Sequence, residues 1–199
     1  MKSENGLLHR RPVVAELLRD RGGMLVVGGL GAPAWDITAA GDHDLSFPLW
    51  GAMGGAAMIG LGIALAQPDR PVLVITGDGE MLMGIGSLMT IAVQAPANLS
   101  VVVLDNEHYG ETGMQRTHTG FGTDLTKVAE GAGFKRSFSV TEESEVTSLR
   151  ESIHEVSGPL FANVKIDSEK LKLVLPPSEG SILKNRFRRA LLGEDALYV

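Results

Sequence analysis

The stretch that decides the fold spans residues 71–119 and reads PVLVITGDGEMLMGIGSLMTIAVQAPANLSVVVLDNEHYGETGMQRTHT. It contains two apolar runs, residues 72–76 and 99–104, which are typical of strands buried on both faces of a parallel sheet. The apolar segment between them is long enough for a crossover helix, so the stretch predicts a βαβ unit. A residue with a side-chain oxygen follows each run, Asp78 after the first and Asn106 after the second. Because open parallel sheets bind ligands at the carboxyl ends of their strands, we predict a binding site between these two loops.

The chemistry of the two loops suits a metal-bridged diphosphate. A carboxylate oxygen and a carboxamide oxygen are ligands for a hard cation such as Mg²⁺, which completes its coordination with phosphate oxygens and water. The flanking residues Gly77 and Gly79 let the backbone approach a phosphate, and the helix that follows directs its N-terminus there. The alternative is that G-D-G is an ordinary turn and Asn106 a strand-end cap, because a lone G-D-G triplet is common.

Length and composition limit the classes of function. A chain of 199 residues with 44% hydrophobic content predicts one domain, residues 1–199, with a substantial core. The net charge of −6 argues against nucleic-acid and anionic-membrane partners, because there is no basic stripe to neutralise phosphates. The absence of cysteine excludes disulfides, thiol catalysis and iron–sulfur clusters held by this chain. The N-terminal residues are charged throughout and do not resemble a signal peptide, so we expect a cytoplasmic protein.

A glycine motif precedes the central stretch. We expect a helix over residues 11–21 and a strand over 24–27, followed by GGLGAPAWD, in which Gly29, Gly31 and Ala34 match G-x-G-x-x-A. A dinucleotide site also needs an acidic residue at the end of a second strand, and the corresponding region is the uncharged FPLWGAMGG. The dinucleotide hypothesis is therefore disfavoured. A glycine loop before a helix that starts at Pro33 could still hold part of a phosphate.

Residues 47–66, FPLWGAMGGAAMIGLGIALA, carry no charge and are long enough to be considered as a transmembrane helix. Five of these residues are glycine and five are alanine, so their affinity for lipid would be weak. No bias of Lys or Arg marks one end. We predict a buried helix that packs closely through its glycines, Gly54, Gly55, Gly60 and Gly62.

The rest of the chain predicts further alternation of helices and strands. Residues 81–92 have one apolar helical face, whereas the segment after Asn106 has no periodicity and predicts a functional or mobile loop. We expect a helix over 125–133, a strand over 137–140, a helix over 142–156 capped by Thr141, and a strand over 160–166. The tail LPPSEGSILKNRFRRALL predicts a proline-stiffened connection and a basic amphipathic helix, whose charges form a solvated face or a subunit contact.

The spacing of the two oxygen ligands, G-D-G followed by twenty-six residues and Asn106, resembles the thiamine diphosphate-binding signature. In that signature Asp and Asn bind Mg²⁺, and Mg²⁺ binds the cofactor diphosphate. Three blocks, FPLWGAMGGAAMIGLGIALA, VITGDGEMLMGIGSLMTIA and NLSVVVLDNEHYGETGMQRTHT, resemble those of sulfopyruvate and phosphonopyruvate decarboxylases. The resemblance is strongest to the β-type subunit of two-subunit sulfopyruvate enzymes and covers roughly residues 25–191.

The resemblance implies an α/β fold, a three-layer sandwich with a central, mostly parallel sheet and helices on both faces. It implies that Asp78, Asn106 and the main-chain carbonyl of His108 ligate Mg²⁺. Met53 would support the bent cofactor, although Met at such a position is otherwise ordinary core packing. The Gly51 carbonyl would accept a hydrogen bond from the aminopyrimidine. The complete implied set of cofactor-binding residues is Gly51, Met53, Gly77, Asp78, Gly79, Glu80, Asn106, Tyr109 and Gly110.

Two positions depart from the family pattern. Glu80 stands where a small serine is frequent, which puts an acid near the diphosphate unless its side chain turns away. Arg116 stands where similar loops often have proline, and an arginine near the site could pair with a carboxylate or sulfonate of the substrate. His108 and His118 are further candidates for substrate contacts, and each could equally be a structural residue of the loop.

The resemblance also implies a missing part. Thiamine enzymes need a glutamate beside the pyrimidine N1′ atom, and no Glu here matches that motif, which belongs to a separate pyrimidine-binding domain. We therefore expect a hetero-oligomer in which a partner subunit completes the site for a small 2-oxoacid. The leading hypothesis is a decarboxylase subunit. The alternatives are a carboligase or synthase subunit, because the motif does not fix the fate of the carbanion, and a non-catalytic cofactor-binding subunit. The lack of cysteine disfavours a ferredoxin-linked oxidoreductase.

Overall fold

A parallel sheet forms the centre of the molecule, for which a computed structural model describes residues 2–155 and 157–198. Its strands are β1 (Leu25–Gly28), β2 (Ser46–Pro48), β3 (Val72–Gly77), β4 (Leu99–Asp105), β7 (Arg136–Val140) and β8 (Leu160–Lys165), and β5 (His108–Tyr109) and β6 (Gln115–Arg116) form a separate hairpin. The six strands of the main sheet follow the order β2-β1-β3-β4-β8-β7, and every neighbouring pair is parallel. The predicted βαβ unit is confirmed, because β3 and β4 are direct neighbours.

Helices cover both faces of this sheet, as the fold prediction requires. They are α1 (Arg10–Leu17), α2 (Ala32–Ala39), α3 (Ala56–Ala66), α4 (Asp78–Met83), α5 (Ser87–Gln94), α6 (Leu125–Ala132), α7 (Glu143–His154) and α8 (Gly180–Leu192). Apolar side chains of α1, α2 and α7 belong to one core cluster, and those of α3, α4, α5, α6 and α8 belong to a second. The predicted three-layer α/β sandwich is therefore confirmed.

The central strands supply side chains to both clusters, which explains their continuous apolar sequence. On β3, Leu73 and Ile75 pack in the first cluster, whereas Val72 and Val74 pack in the second. This division follows from the alternation of side chains along a strand. A strand buried on both faces shows no alternation of polar and apolar residues, which is why its sequence is apolar throughout.

The prediction of one helix over residues 47–66 is wrong in its first half. Ser46–Pro48 is an edge strand, and α3 begins only at Ala56. Between them Ala52 and Gly54 adopt left-handed backbone conformations, with φ of 59° and 94°, and the Gly55 N–H donates to the Ala52 carbonyl at 2.8 Å. Helical periodicity cannot continue through such a turn. In the described part of the chain, no helix is long and apolar enough to cross a membrane.

The prediction of one helical face over residues 81–92 also needs correction, because two helices cover this region. Helical structure is interrupted between α4 and α5 from Gly84 onward, and the Gly84 backbone packs directly on the Gly54 carbonyl. A Cβ built on Gly84 would lie 2.1 Å from that oxygen. The close approach of two backbone segments therefore coincides with the break between the two helices.

Three further helices differ from the prediction mainly at their ends. The first helix ends at Leu17 rather than at residue 21. Asp124 accepts hydrogen bonds from the first turn of α6, whose predicted bounds are nearly correct. Glu142, and not Thr141, caps α7 through a capping box with Glu145, and α7 ends at His154. The predicted last residue of that helix, residue 156, lies outside the described residues.

The tail crosses from β8 to the opposite edge of the sheet, where α8 packs against β2. The Phe47 and Phe187 rings are 5.4 Å apart between centroids. Arg186 donates to both carboxylate oxygens of Asp42, at 2.6 and 2.9 Å. The predicted basic helix is confirmed, but its Arg186 binds within the chain rather than forming a solvated face or a subunit contact.

Candidate functional site

A cavity of about 550 Å³ opens beside the ends of β3 and β4, at the carboxyl edge of the sheet. The two strands pair so that Gly77 is opposite Leu104, and the loops that follow them are therefore adjacent. Nine of the sequence-predicted site residues line this cavity: Met53, Gly77, Asp78, Gly79, Glu80, Asn106, His108, Tyr109 and Gly110. Gly51, Arg116 and His118 are not among the lining residues.

Asp78 is the first residue of α4 and is almost completely buried, with 1% of its surface exposed. Its Oδ2 atom accepts hydrogen bonds from the hydroxyls of Thr117, at 2.5 Å, and Thr119, at 3.3 Å. Burial raises the pKa of Asp78 from 3.8 to about 6; the Asp105 carboxylate adds to this rise, and the threonine hydrogen bonds oppose it. A buried carboxylate with a raised pKa is a group that a cation would stabilise.

Asn106 follows β4 and forms a tight turn with His108. The Asn106 Oδ1 atom accepts from the His108 N–H at 3.0 Å, and the His108 Nδ1–H donates to the Asn106 carbonyl at 2.7 Å. Between them Glu107 has a φ of 62°, a left-handed conformation that is uncommon outside glycine. Because a carboxamide oxygen has two lone pairs, Asn106 Oδ1 keeps one acceptor site besides this bond.

The side-chain and main-chain oxygens at this site suit a hard cation. Within residues 2–155 and 157–198, no group of three or more His, Cys, Asp or Glu side chains is arranged to hold a metal ion. The predicted ligand set contains one carboxylate, from Asp78, with the carboxamide of Asn106 and a main-chain carbonyl. Such an oxygen-only set suits Mg²⁺, which uses few protein ligands and retains water and phosphate oxygens. The residues present therefore fit the implied metal.

The Glu80 carboxylate is buried among three segments and is not a free acid in the cavity. Its Oε2 atom accepts from the Leu30 N–H and from the Thr76 hydroxyl, both at 2.9 Å. Its Oε1 atom accepts from the Ala56 N–H, the first residue of α3, at 3.3 Å. Glu80 thus joins the loop after β1, the end of β3 and the start of α3. Both carboxylate oxygens of Glu80 are thus engaged by donors within the chain, as expected for a side chain that turns away from a phosphate site.

The glycines of the G-x-G motif provide room for two carboxylates. A Cβ on Gly29 would lie 2.1 Å from Glu80 Oε2, and a Cβ on Gly31 would lie 2.3 Å from Glu111 Oε1. The second strand ends at Pro48 and not at an acidic residue, so the dinucleotide hypothesis has no structural support. The helix after the motif begins at Ala32, one residue before the predicted start, and its first residues line the cavity.

Met53 and Tyr109 form parts of the cavity wall that depend on nearby glycines. Met53 lies in the turn with left-handed residues on either side, and this turn packs on Gly84. The Tyr109 ring lies against the backbone of Gly79, where a Cβ would come within 2.6 Å of Cδ1. The first contact joins two backbone segments, and the second places a side-chain ring against the backbone.

The loop after β4 is more ordered than its sequence predicts, because it contains the hairpin β5–β6 and a short 3-10 helix, His118–Phe121. The Arg116 guanidinium donates to the Gly120 carbonyl and lies 4.6 Å from the centroid of the Phe121 ring. His118 is exposed. The contacts of Arg116 and His118 with substrate remain predictions.

Sequence reasoning missed two parts of this site. Thr117, Thr119 and Asp105 form a buried polar group behind Asp78, for which the only local signal is the T-x-T pattern in the loop. The tail segment after β8, including Lys170 and Leu171, forms another part of the cavity wall. No local pattern predicts that part, because the tail reaches the cavity only through the tertiary fold.

These features define a class: a parallel α/β domain that binds its ligand in loops following two neighbouring central strands. The family model described as "Thiamine pyrophosphate enzyme, C-terminal TPP binding domain" matches residues 32–164. The chain belongs to this family of thiamine pyrophosphate enzymes, and the family resemblance drawn from the sequence is confirmed.

Relatives with known names extend this result. Sulfopyruvate decarboxylase subunit beta of Methanocaldococcus jannaschii is 34% identical over 169 residues, which cover 84% of this chain and 88% of that protein. Phosphonopyruvate decarboxylase of Streptomyces viridochromogenes is 38% identical over 154 residues, which cover 77% of this chain but only 38% of that protein. Benzoylformate decarboxylase from Polynucleobacter necessarius has a similar structure, with a TM-score of 0.69 at 19% identity over 83% of this chain and 34% of that one. The last similarity supports the fold alone.

Proposed function

We propose that this chain is the β-type subunit of a two-subunit, thiamine diphosphate- and Mg²⁺-dependent 2-oxoacid decarboxylase. The observation that carries the proposal is that Asp78 and Asn106 line one cavity at the ends of neighbouring strands. The relationship to a sulfopyruvate decarboxylase β subunit over 88% of its length supports the subunit assignment. Sulfopyruvate and phosphonopyruvate are the leading substrates, because the named relatives act on them.

The residues of this chain would hold the diphosphate end of the cofactor. The side-chain oxygens of Asp78 and Asn106, with the His108 carbonyl, are the proposed ligands of Mg²⁺. The main-chain N–H groups of Gly79 and Glu80 lie in the first turn of α4, where helix N–H groups lack intrahelical partners and favour anions. The Glu80 carboxylate is engaged by Leu30, Thr76 and Ala56. Its backbone is thereby fixed without adding a free carboxylate to the phosphate site.

The division of labour between cofactor and protein follows from general chemistry. Bound thiamine diphosphate supplies the electron sink that decarboxylation of a 2-oxoacid requires, while the protein supplies orientation and electrostatics. In this chain, Met53 would support the cofactor from the turn before α3, and the Gly51 carbonyl would accept a hydrogen bond from the aminopyrimidine. Proton transfer at the pyrimidine would depend on a glutamate of the partner subunit.

An exposed apolar face on α3 and α5 suits that partner. Met58 and Leu65 of α3, and Met89 and Val93 of α5, are between 42% and 81% exposed. The two helices are in contact, and Met83, which is 60% exposed, borders the turn that holds Met53. A surface of this kind is typical of protein–protein contacts. We propose that the pyrimidine-binding subunit covers this face, because Met83 at its border packs against the turn that holds Met53, a residue of the cavity wall.

The proposal is tested by comparing the purified chain with the same chain co-expressed with a short partner that carries a pyrimidine-binding domain. Calorimetry should show that thiamine diphosphate binds only when Mg²⁺ is present. CO₂ release from a panel of 2-oxoacids should require both chains, and full turnover by the single chain would contradict the two-subunit proposal. Product analysis separates the alternatives, since an aldehyde indicates a decarboxylase and an acyloin or hydroxy-oxoacid indicates a carboligase.

A further inference from the structure

A buried chain of polar side chains lies behind Asp78, on the side away from the open cavity. The Thr117 hydroxyl is 2.5 Å from Asp78 Oδ2 and 2.8 Å from the Thr119 hydroxyl. The Thr119 hydroxyl is in turn 3.3 Å from Asp78 Oδ2 and 2.8 Å from Asp105 Oδ1. The two threonines therefore connect two carboxylates, and each of the four residues is at most 5% exposed.

Asp105 is itself fixed by a second set of contacts. Its Oδ2 atom accepts from the Asn163 side-chain amide at 2.9 Å and from the Lys165 ammonium at 2.8 Å. Lys165 is the register partner of Asp105 across β4 and β8, and it also donates to Glu107 at 2.9 Å. The Glu107 N–H donates to Asp105 Oδ1 at 3.0 Å. Asp105 is thus anchored to the sheet by neighbours that do not touch Asp78.

The direction of these bonds determines what they do to Asp78. A carboxylate accepts and cannot donate, and each threonine hydroxyl has one proton. The Thr117 hydroxyl donates to Asp78 Oδ2, and the Thr119 hydroxyl shares its proton between Asp105 Oδ1, at 2.8 Å, and Asp78 Oδ2, at 3.3 Å. Both threonine bonds to Asp78 reach Oδ2 rather than Oδ1. They restrict rotation of the carboxylate about its Cβ–Cγ bond. A carboxylate held in one orientation loses less conformational freedom when it binds a ligand.

We propose that the hydroxyls of Thr117 and Thr119 are positioning groups that hold Asp78 ready for the metal ion, with Asp105 as their anchor. The inference rests on the proposed function, in which Asp78 is a ligand of Mg²⁺. Partners that orient a metal ligand typically change metal affinity by about 10- to 100-fold when they are removed. The two threonines belong to the loop after β4, so this loop would contribute to the metal site in two ways: directly through Asn106, and indirectly through hydroxyls that hold Asp78.

The test measures metal affinity directly, with Mn²⁺ as the probe, because Mn²⁺ prefers the same oxygen ligands as Mg²⁺ and its free form gives a paramagnetic resonance signal. The chain is titrated in its complex with the pyrimidine-binding partner, in the presence of thiamine diphosphate. Thr117→Val and Thr119→Val should each weaken Mn²⁺ binding by about 10- to 100-fold. Thr117→Ser and Thr119→Ser keep the hydroxyl and should restore binding to near the wild-type level. Thr126→Val is the matched control, since Thr126 is a buried threonine of α6 that bonds the Phe138 carbonyl, away from the site.

The outcomes separate this inference from the proposed function. If wild type binds Mn²⁺ with thiamine diphosphate and both valine variants bind it equally well, the positioning role is overturned and the proposed function stands. If wild type shows no such binding, both are overturned. Circular dichroism of the metal-free chains reports folding, and if one valine variant does not fold, the other decides. If both valine variants unfold while the serine variants fold, the hydroxyls serve stability rather than metal positioning, which also overturns the proposal.

Discussion

The Oε2 atom of Glu80 occupies the space that a side chain on Gly29 would need. A Cβ built on Gly29 would lie 2.1 Å from this oxygen and 2.8 Å from the Thr76 hydroxyl. Gly29 and Glu80 are therefore coupled although they lie far apart in the sequence. The Glu80 carboxylate can accept the Leu30 N–H only because residue 29 has no side chain. This contact gives a structural reason for Gly29, which the G-x-G-x-x-A motif taken alone would associate with a dinucleotide site.

The coupling can be measured with a double-mutant cycle. Gly29→Ala should lower the free energy of unfolding by about 1–3 kcal/mol, because it forces the Glu80 carboxylate out of place. Glu80→Ser should also destabilise the chain, because three donors lose their acceptor. In the double variant the new methyl group no longer meets the carboxylate. We expect an interaction energy of about 1 kcal/mol or more in urea unfolding, and strictly additive effects would contradict the contact.

Gly54 and Gly84 bring two backbone segments into direct contact. Gly84→Ala places a Cβ 2.1 Å from the Gly54 carbonyl, an atom that cannot move without displacing the turn that carries Met53. We expect a loss of about 1–3 kcal/mol in the free energy of unfolding and weaker binding of thiamine diphosphate.

Gly62→Ala is the control for this substitution. Gly62 is exposed in the middle of α3, and no atom lies within 4 Å of the Cβ built there. Alanine should therefore stabilise the helix by about 0.5–1 kcal/mol. If the two alanine variants had equal stability, the close approach of Gly54 and Gly84 would be wrong.

What could be predicted from the sequence depends on whether a feature arises from local pattern or from contacts between distant segments. Strands β3 and β4, and the positions of Asp78 and Asn106 at the cavity, are predictable, because apolar runs and the residues that follow them are local patterns. The helix predicted over residues 47–66 fails at a turn that packs on Gly84, a contact invisible to periodicity. Thr119 and Asp105 are missed for a related reason. Their residue types are unremarkable, and only the fold brings them to Asp78.

The raised pKa of Asp78 makes the stability of the metal-free chain depend on pH. The native state binds this proton more tightly than the unfolded state, because the pKa is about 6 in the native state against 3.8 ordinarily. Stability from this group is therefore complete below about pH 4 and is lost as pH rises to about 6. Asp78→Asn removes the titration and keeps an acceptor for Thr117. Above pH 6 it should raise the free energy of unfolding by up to about 3 kcal/mol, while abolishing tight Mg²⁺ binding.

Urea unfolding in EDTA between pH 4 and 8 measures this effect. Wild type should lose stability relative to Asp78→Asn across the interval from pH 4 to 6, and the difference should then stay constant. A difference that does not change with pH would show that Asp78 is not the group responsible. Burying the ionised Asp78 carboxylate would then carry no free-energy cost in the metal-free chain.

The buried ion pair between Arg10 and Asp36 should matter more for stability than any surface pair. The two side chains are 7% and 0% exposed, with Nη1 and Oδ2 2.5 Å apart, and Arg11 reaches the other oxygen at 3.0 Å. Asp36→Asn leaves the Arg10 charge buried without its counter-ion and should cost about 3–5 kcal/mol in urea unfolding. Lys2→Ala breaks an exposed pair with Glu142 and should cost less than about 1 kcal/mol. Similar costs for the two variants would argue against the burial of Arg10.

The apolar face of α3 and α5 should be required for assembly but not for folding. Val93 is 81% exposed, so Val93→Asp places a charge in water in the isolated chain and should change its melting temperature little. In the complex the same charge would be buried against the partner without a counter-charge, and we expect association to weaken at least about tenfold.

Ile182→Asp is the control, because Ile182 is also exposed but lies on α8, which packs at the edge strand β2. Co-purification and sedimentation of the two chains measure the difference. Equal loss of assembly in both variants would mean that general surface charge, and not this face, governs the contact. Unchanged assembly in Val93→Asp would move the partner to another face of the molecule and leave the metal site as it is.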